Sequence, residues 1–135
     1  MELADTSAWT NKHRSDVVAE DFSERILSRE LATCPIVVME LLWTAQSLDD
    51  FDELREDLGA LPEVAIDAPV WSRAIEVWRE LVKKGHHRQV KIPDLLIAAA
   101  AERASIGVCH YDGDFDLISG VTGQPVRPIA PLGTL

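Results

Sequence analysis

Ile92-Pro93-Asp94-Leu95-Leu96-Ile97-Ala98-Ala99-Ala100-Ala101, followed by Ile106-Gly107-Val108-Cys109-His110-Tyr111 and Asp112-Gly113, decides the architecture. Ile92-Pro93-Asp94 opens a helix that runs from Leu95 to about Ser105. Proline is tolerated there because a first-turn N–H has no helical partner to lose. The helix is apolar enough to be buried on most sides. Ile106–Tyr111 then reads as a strand, Asp112-Gly113 as its turn, and Phe115–Ser119 as a short helix.

The same alternation extends outward in both directions. Leu3–Ala4 is a short strand leading into the helix start Asp5-Thr6-Ser7. From Ser15/Asp16, the residues Val17, Val18, Phe22, Ile26, Leu27 and Leu31 recur at helical spacing. Thr33–Ile36 reads as a strand ended by Pro35, and Val37–Ala45 as a helix apolar nearly all round. Ser47 with Asp50 resembles a capping box, with a stripe of Leu48, Phe51, Leu54 and Leu58 behind it. Glu63–Ile66 is a further expected strand. Asp67 caps the strongest helix, which has Pro69 in its first turn and Gly85 past its end. Pro125–Ile129 is the last strand expected. Strands separated by helices call for a parallel sheet with helices on both faces. The class is α/β.

A chain of 135 residues is one domain's worth, expected to span 1–135 without a linker. Thirteen Lys/Arg against 23 Asp/Glu leave a net charge of -10, which excludes attachment to nucleic acid by bulk charge. Contact with phosphate needs a bound cation or a local basic patch. Residues 79–91 offer such a patch, with Arg79, Lys83, Lys84, Arg88 and Lys91 against Glu80 alone. Lys12-His13-Arg14 is a smaller one. Cys34 and Cys109 match no metal or redox spacing and read as buried thiols of a reducing compartment. The N-terminus has no basic n-region, and the longest apolar run, Leu95–Ala101, is too short to span a bilayer. A soluble, cytoplasmic protein is expected. Trp9, Trp43, Trp71 and Trp78 read mostly as core, with one or two available to line a partner surface.

Four carboxylates interrupt this pattern. Asp5 and Asp112 end strands, Asp94 heads the most apolar helix, and Glu40 splits Val37-Val38-Met39 from Leu41-Leu42-Trp43. Ligands of open α/β sheets bind beyond the carboxyl ends of the strands, where Asp5 and Asp112 stand and where the helix headed by Asp94 is expected to start. Each has a plainer reading: Asp5 and Asp94 as helix-start residues, Asp112 as a turn residue, Glu40 as the partner of a buried arginine. Their coincidence favours a cation site. Hard divalent ions such as magnesium take oxygen ligands, and clustered carboxylates repel until a cation neutralises them. Asp112-x-Asp114-x-Asp116 fails as a calcium loop, because Leu117 and Gly123 stand where glycine and glutamate belong. No phosphate-cradling glycine motif, serine elbow or zinc pattern is present. The run Asp49–Asp57 reads as the solvated face of its helix.

Asp5-Thr6-Ser7-Ala8, Glu40 within Val38–Leu42, Pro93-Asp94 before Leu95–Ala101, and His110-Tyr111-Asp112-Gly113-Asp114-Phe115-Asp116 together resemble a PIN-domain ribonuclease. Length and motif order are similar to VapC toxins of type II toxin–antitoxin systems. The resemblance spans essentially the whole chain. It implies a three-layer α/β/α sandwich and a quartet of catalytic acids at Asp5, Glu40, Asp94 and Asp112. It further implies magnesium, or manganese, held by Asp5, Asp94, Asp112 and Asp114, with Thr6 and Ser7 orienting a carboxylate or substrate phosphate. Lys83, Lys84, Arg88 and Lys91 are the residues expected to guide RNA toward that site. A VapB-like antitoxin, an RNA substrate and a homodimer are the implied partners, with no membrane. Many relatives carry Thr or Ser where this chain has His110.

Two other classes compete with the nuclease. A magnesium-dependent phosphotransfer domain would need a second aspartate near Asp5, which Thr6-Ser7 does not provide. A catalytically silent binding module would have no chemical need for Glu40.

Overall fold

The computed structural model describes residues 1–135. Four short strands, β1 (Glu2–Ala4), β2 (Leu31–Ala32), β3 (Gly107–His110) and β4 (Val126–Pro128), form one sheet in the order β2-β1-β3-β4. All three pairings are parallel, with Leu3 opposite both Ala32 and Val108, and Cys109 opposite Arg127. Seven α-helices surround it: α1 (Thr6–Asn11), α2 (Asp16–Leu27), α3 (Pro35–Leu42), α4 (Leu48–Gly59), α5 (Ala68–Lys83), α6 (Ile92–Arg103) and α7 (Asp114–Thr122). A 3₁₀ turn, Lys12–Arg14, joins α1 to α2.

The two-residue period of a strand divides the core in two. Leu3 and Val108 point to one face, where they join the buried sides of α3–α7. Ala4 and Cys109 point to the other, packing with Ala8, Phe22 and Leu31 from the α1–α2 side. Two cores on opposite faces of one sheet make the three-layer α/β/α arrangement. At its centre, α6 is buried without interruption from Asp94 to Ala101, which is why its sequence shows almost no polar face.

Local chemistry sets the helix starts. Asp5, Ser15, Ser47 and Asp67 each accept a backbone N–H from the first turn of the following helix. Gly85 and Gly123 take positive φ just beyond α5 and α7, a conformation that costs glycine nothing.

Several expectations need correction. The strand expected at Thr33–Ile36 lies earlier, at Leu31–Ala32, and Pro35 begins α3 instead of ending a strand. Its fixed φ and missing N–H suit a first helical position as well as a break. Glu63–Ile66 forms no strand; it makes the isolated bridge Thr33–Glu63, and Val64 and Ile66 pack against the core. Helix α3 ends at Leu42 rather than Ala45 and is not buried all round: Met39 and Trp43 are 72% and 89% exposed. Trp71 is also exposed, so the tryptophans are less of the core than their spacing implied. No helix is long and apolar enough to cross a membrane.

Candidate metal centre

Asp5 is the residue at which β1 becomes α1. Its backbone N–H donates to the Cys109 carbonyl at 2.9 Å, continuing the ladder, while its side chain caps the helix through the Ser7 N–H at 2.9 Å. The Ser7 hydroxyl also donates to Oδ2 of Asp5 and accepts the Tyr111 N–H, so one hydroxyl ties the ends of β1 and β3 together. Asp5 is only 3% exposed. Burial pushes its carboxyl above the ordinary value, the Ser7 hydrogen bonds oppose that shift, and the charge of Glu40 adds to it.

Asp94 reaches the same place from the first turn of α6. It is 8% exposed, and its Oδ2 is buried with no hydrogen-bond partner. Burial first, then the charges of Asp5 and Asp112, push its carboxyl up to about 7. A helix-start aspartate would face solvent or cap an N–H. Asp94 does neither, since no side chain caps α6.

Asp112 and Asp114 follow β3. Oδ1 of Asp112 accepts the Asp114 N–H at 2.9 Å, and the Asp112 N–H is accepted by Nδ1 of His110 at 3.0 Å. Ligand atoms of Asp94, Asp112 and Asp114 all lie within 4.8 Å of one another. Desolvation and the neighbouring Asp112 raise the Asp114 carboxyl. A hard divalent cation suits such a set: oxygen donors only, an orphaned buried carboxylate oxygen, and excess negative charge.

Asp5, Asp94 and Asp112 line a cleft of about 190 Å³ beyond the carboxyl ends of β1 and β3. Asp5, Asp94, Asp112 and Glu40 contribute carboxylates to its wall, Thr6, Ser7 and Thr10 contribute hydroxyls, and Lys91 is its only cation. Asp114 completes the carboxylate group but does not line the cleft.

Glu40 corrects the reasoning that singled it out. Glu40 is exposed on α3, whereas Val37 and Leu41 are buried, and it accepts the Thr6 hydroxyl at 2.9 Å. Its place on the cleft therefore rests on position and not on a buried charge. Of the basic segment, only Lys91 reaches the wall. Lys83 pairs with Glu80 at 3.0 Å, Lys84 donates to the Gly120 carbonyl, and Arg88 is exposed outside the cleft. Thr10 was missed, although it stands one helical turn after Thr6 on the same face of α1. His110 is wholly buried, and desolvation lowers its pKa.

The PIN domain family model matches residues 3–121, a span that begins in β1 and ends in α7. The chain belongs to the PIN-domain family. Among relatives, ribonuclease VapC18 of Mycobacterium tuberculosis is 41% identical over 133 residues, covering 97% of this PIN domain chain and 96% of that protein. Ribonuclease VapC21 of the same species is 46% identical over 107 residues, covering 77% and 76%. The DNA-bound VapBC structure from Salmonella typhimurium contains a chain that superposes with a TM-score of 0.74 at 22% identity. That match covers 96% of this chain and 100% of that one. FitAcB from Neisseria gonorrhoeae matches at a TM-score of 0.70 and 18% identity, covering 98% and 100%. These likenesses confirm the PIN sandwich.

Proposed function

We propose that this PIN domain is a metal-dependent endoribonuclease, the toxin of a toxin–antitoxin pair, which cuts structured transfer or ribosomal RNA and thereby inhibits translation. Two observations of Asp94 carry the reading together: its Oδ2 is buried and unpartnered, and its carboxylate offers a ligand atom within 4.8 Å of ones from Asp112 and Asp114. Its support among relatives is the ribonuclease name borne by VapC18 and VapC21.

Asp94, Asp112 and Asp114, with Asp5 beside them, are the residues that would hold magnesium or manganese. When bound, such an ion supplies Lewis acidity toward a phosphoryl oxygen and an acidified water. Glu40 stands at the exposed side of the cleft, where it can accept a proton from the attacking water. Thr6 holds Glu40 by its hydroxyl, and Ser7 holds Asp5. Lys91 meets the scissile phosphate, while Lys83, Lys84 and Arg88 attract the flanking backbone from outside.

The antitoxin's place is suggested by the exposed Met39 and Trp43. They line a groove together with Thr6 and Glu40, both of which also line the acidic cleft. A VapB-like segment seated there would reach the carboxylates directly. Trp71, Ile75 and Ile92, exposed on α5 and α6, offer the apolar face for a second copy in a homodimer.

The test is incubation of the purified chain with total cellular RNA, with magnesium or with excess chelator, followed by mapping of new ends. Magnesium-dependent cuts at few positions are expected. Undiminished cleavage in excess EDTA, or none under either condition, would overturn the reading.

A further inference from the structure

His110 ends β3, wholly buried, two residues before Asp112. Its Nδ1 accepts the Asp112 N–H at 3.0 Å, and Asp112 Oδ1 accepts the Asp114 N–H at 2.9 Å. The same device is used twice: an acceptor at the δ position of one residue captures the amide two residues on. The connection is therefore continuous from the strand end to both carboxylates of the turn.

His110 is itself held on two sides. Its carbonyl accepts the Ile129 N–H at 2.8 Å, fixing its backbone against the segment after β4, and its ring lies 5.1 Å from that of Phe115. Because Nδ1 accepts, the ring proton sits on Nε2, and that atom is buried with no partner. A residue present only to fill space would not need to carry an unpaired donor; leucine fills a similar volume without one. His110 does not line the cleft. His110 thus has no geometry for binding a cation or moving a proton there, and it acts through the Asp112 main chain.

We propose that His110 is a positioning residue: Nδ1 fixes the Asp112 amide and so aims the Asp112 and Asp114 carboxylates at the cation site formed with Asp94. The inference rests on the metal reading above and adds the group that orients half of the ligand set.

Two substitutions separate positioning from packing. His110→Asn keeps an acceptor at the δ position but loses most of the ring. His110→Gln also loses the ring and moves its acceptor one atom further out. Manganese affinity, measured by titration calorimetry on folded protein, should weaken about tenfold or more in His110→Gln. It should stay close to the unsubstituted chain in His110→Asn, even where both variants melt earlier. In metal-free protein, hydrogen exchange at the Asp112 amide should accelerate in His110→Gln and not in His110→Asn. If the glutamine variant does not fold, His110→Leu replaces it, with the same expected loss. Equal manganese affinity in the glutamine (or leucine) and asparagine variants overturns the inference while leaving the metal reading standing. An unsubstituted chain that binds no manganese overturns the metal reading, and this inference with it.

Discussion

Ser7 holds Asp5 at the mouth of the acidic cleft, its hydroxyl donating to Oδ2 at 2.5 Å while accepting the Tyr111 N–H at 2.9 Å. The first residue after β1 and the first residue after β3 are thereby locked to one another, and the Asp5 carboxylate cannot rotate away without breaking its bonds to the Ser7 hydroxyl and the Ser7 N–H. Ser7→Ala leaves the Tyr111 N–H without its acceptor in a partly buried place. The expected cost is about 1–3 kcal/mol of stability, read as a lower midpoint of urea unfolding. Magnesium affinity should fall by about tenfold, because an outer partner of a ligand is lost.

Asp94 makes the metal-free protein sensitive to pH in a defined direction. Its carboxyl titrates near 3.8 in the unfolded chain and at about 7 in the folded one, so between those values the folded state holds a proton that the unfolded state has released. Its contribution to stability is present below pH 3.8 and is lost as pH rises through about 7. Asp5 and Asp114, also raised, act in the same direction. Thermal melts in EDTA from pH 4 to pH 8 should show Asp94→Asn gaining on the unsubstituted chain as pH rises. Magnesium should erase that gain by stabilising the ionised cluster.

Lys91 and Lys84 stand in different relations to the cleft, and RNA should distinguish them. Lys91→Gln removes the only cation of the cleft wall. It should slow single-turnover cleavage at saturating RNA as well as weaken binding. Lys84→Gln, outside the wall, should weaken binding and reduce its salt slope by about one at most, leaving the chemical step unchanged. Equal effects on the chemical step would remove Lys91 from the proposed site.

Trp43, 89% exposed, contributes little to folding. Trp43→Ala should change stability by no more than about 0.5 kcal/mol. Binding of the proposed antitoxin should weaken at least about tenfold, the loss expected when a central aromatic anchor is truncated. RNA cleavage by the free protein should be unaffected. Unchanged antitoxin binding would place the partner elsewhere.

The carboxylates at the strand ends were legible because an acid placed between an apolar strand and an apolar helix breaks a two-state pattern. Asp5 and Asp112 stand out in this way, Asp94 stands out at the head of an otherwise apolar helix, and the structure brings all three to one cleft. Glu40 stood out for a different reason that proved wrong. Met39 and Trp43 are apolar but exposed, so a helix whose sequence is apolar nearly all round has an outward side. Apolar residues reserved for a partner are indistinguishable in sequence from core residues. Pro35 was ambiguous for a related reason, since the same ring ends a strand and begins a helix. Which of Lys83, Lys84, Arg88 and Lys91 faces the cleft depends on how the turn after α5 folds back. That turn is set by Gly85 at φ 74° and the His86 N–H bonding to the Leu81 carbonyl, a tertiary detail that no charge count contains.

If the carboxylates around Asp94 hold a divalent cation for RNA hydrolysis, the charge of Asp94 is indispensable. Asp94→Asn keeps the side-chain size and removes the charge. The decisive measurement is single-turnover cleavage, at saturating magnesium, of an RNA cut by the unsubstituted chain, with Asp116→Asn as the neighbouring control. Asp116 is exposed and lies outside the carboxylate cluster, so its variant should retain most activity. Asp94→Asn should lose about 10²-fold or more in rate, as when one strong electrostatic contact is removed from an active site, in a protein that melts no lower in EDTA. A destabilised Asp94→Asn protein that cleaves at the normal rate would contradict the metal reading.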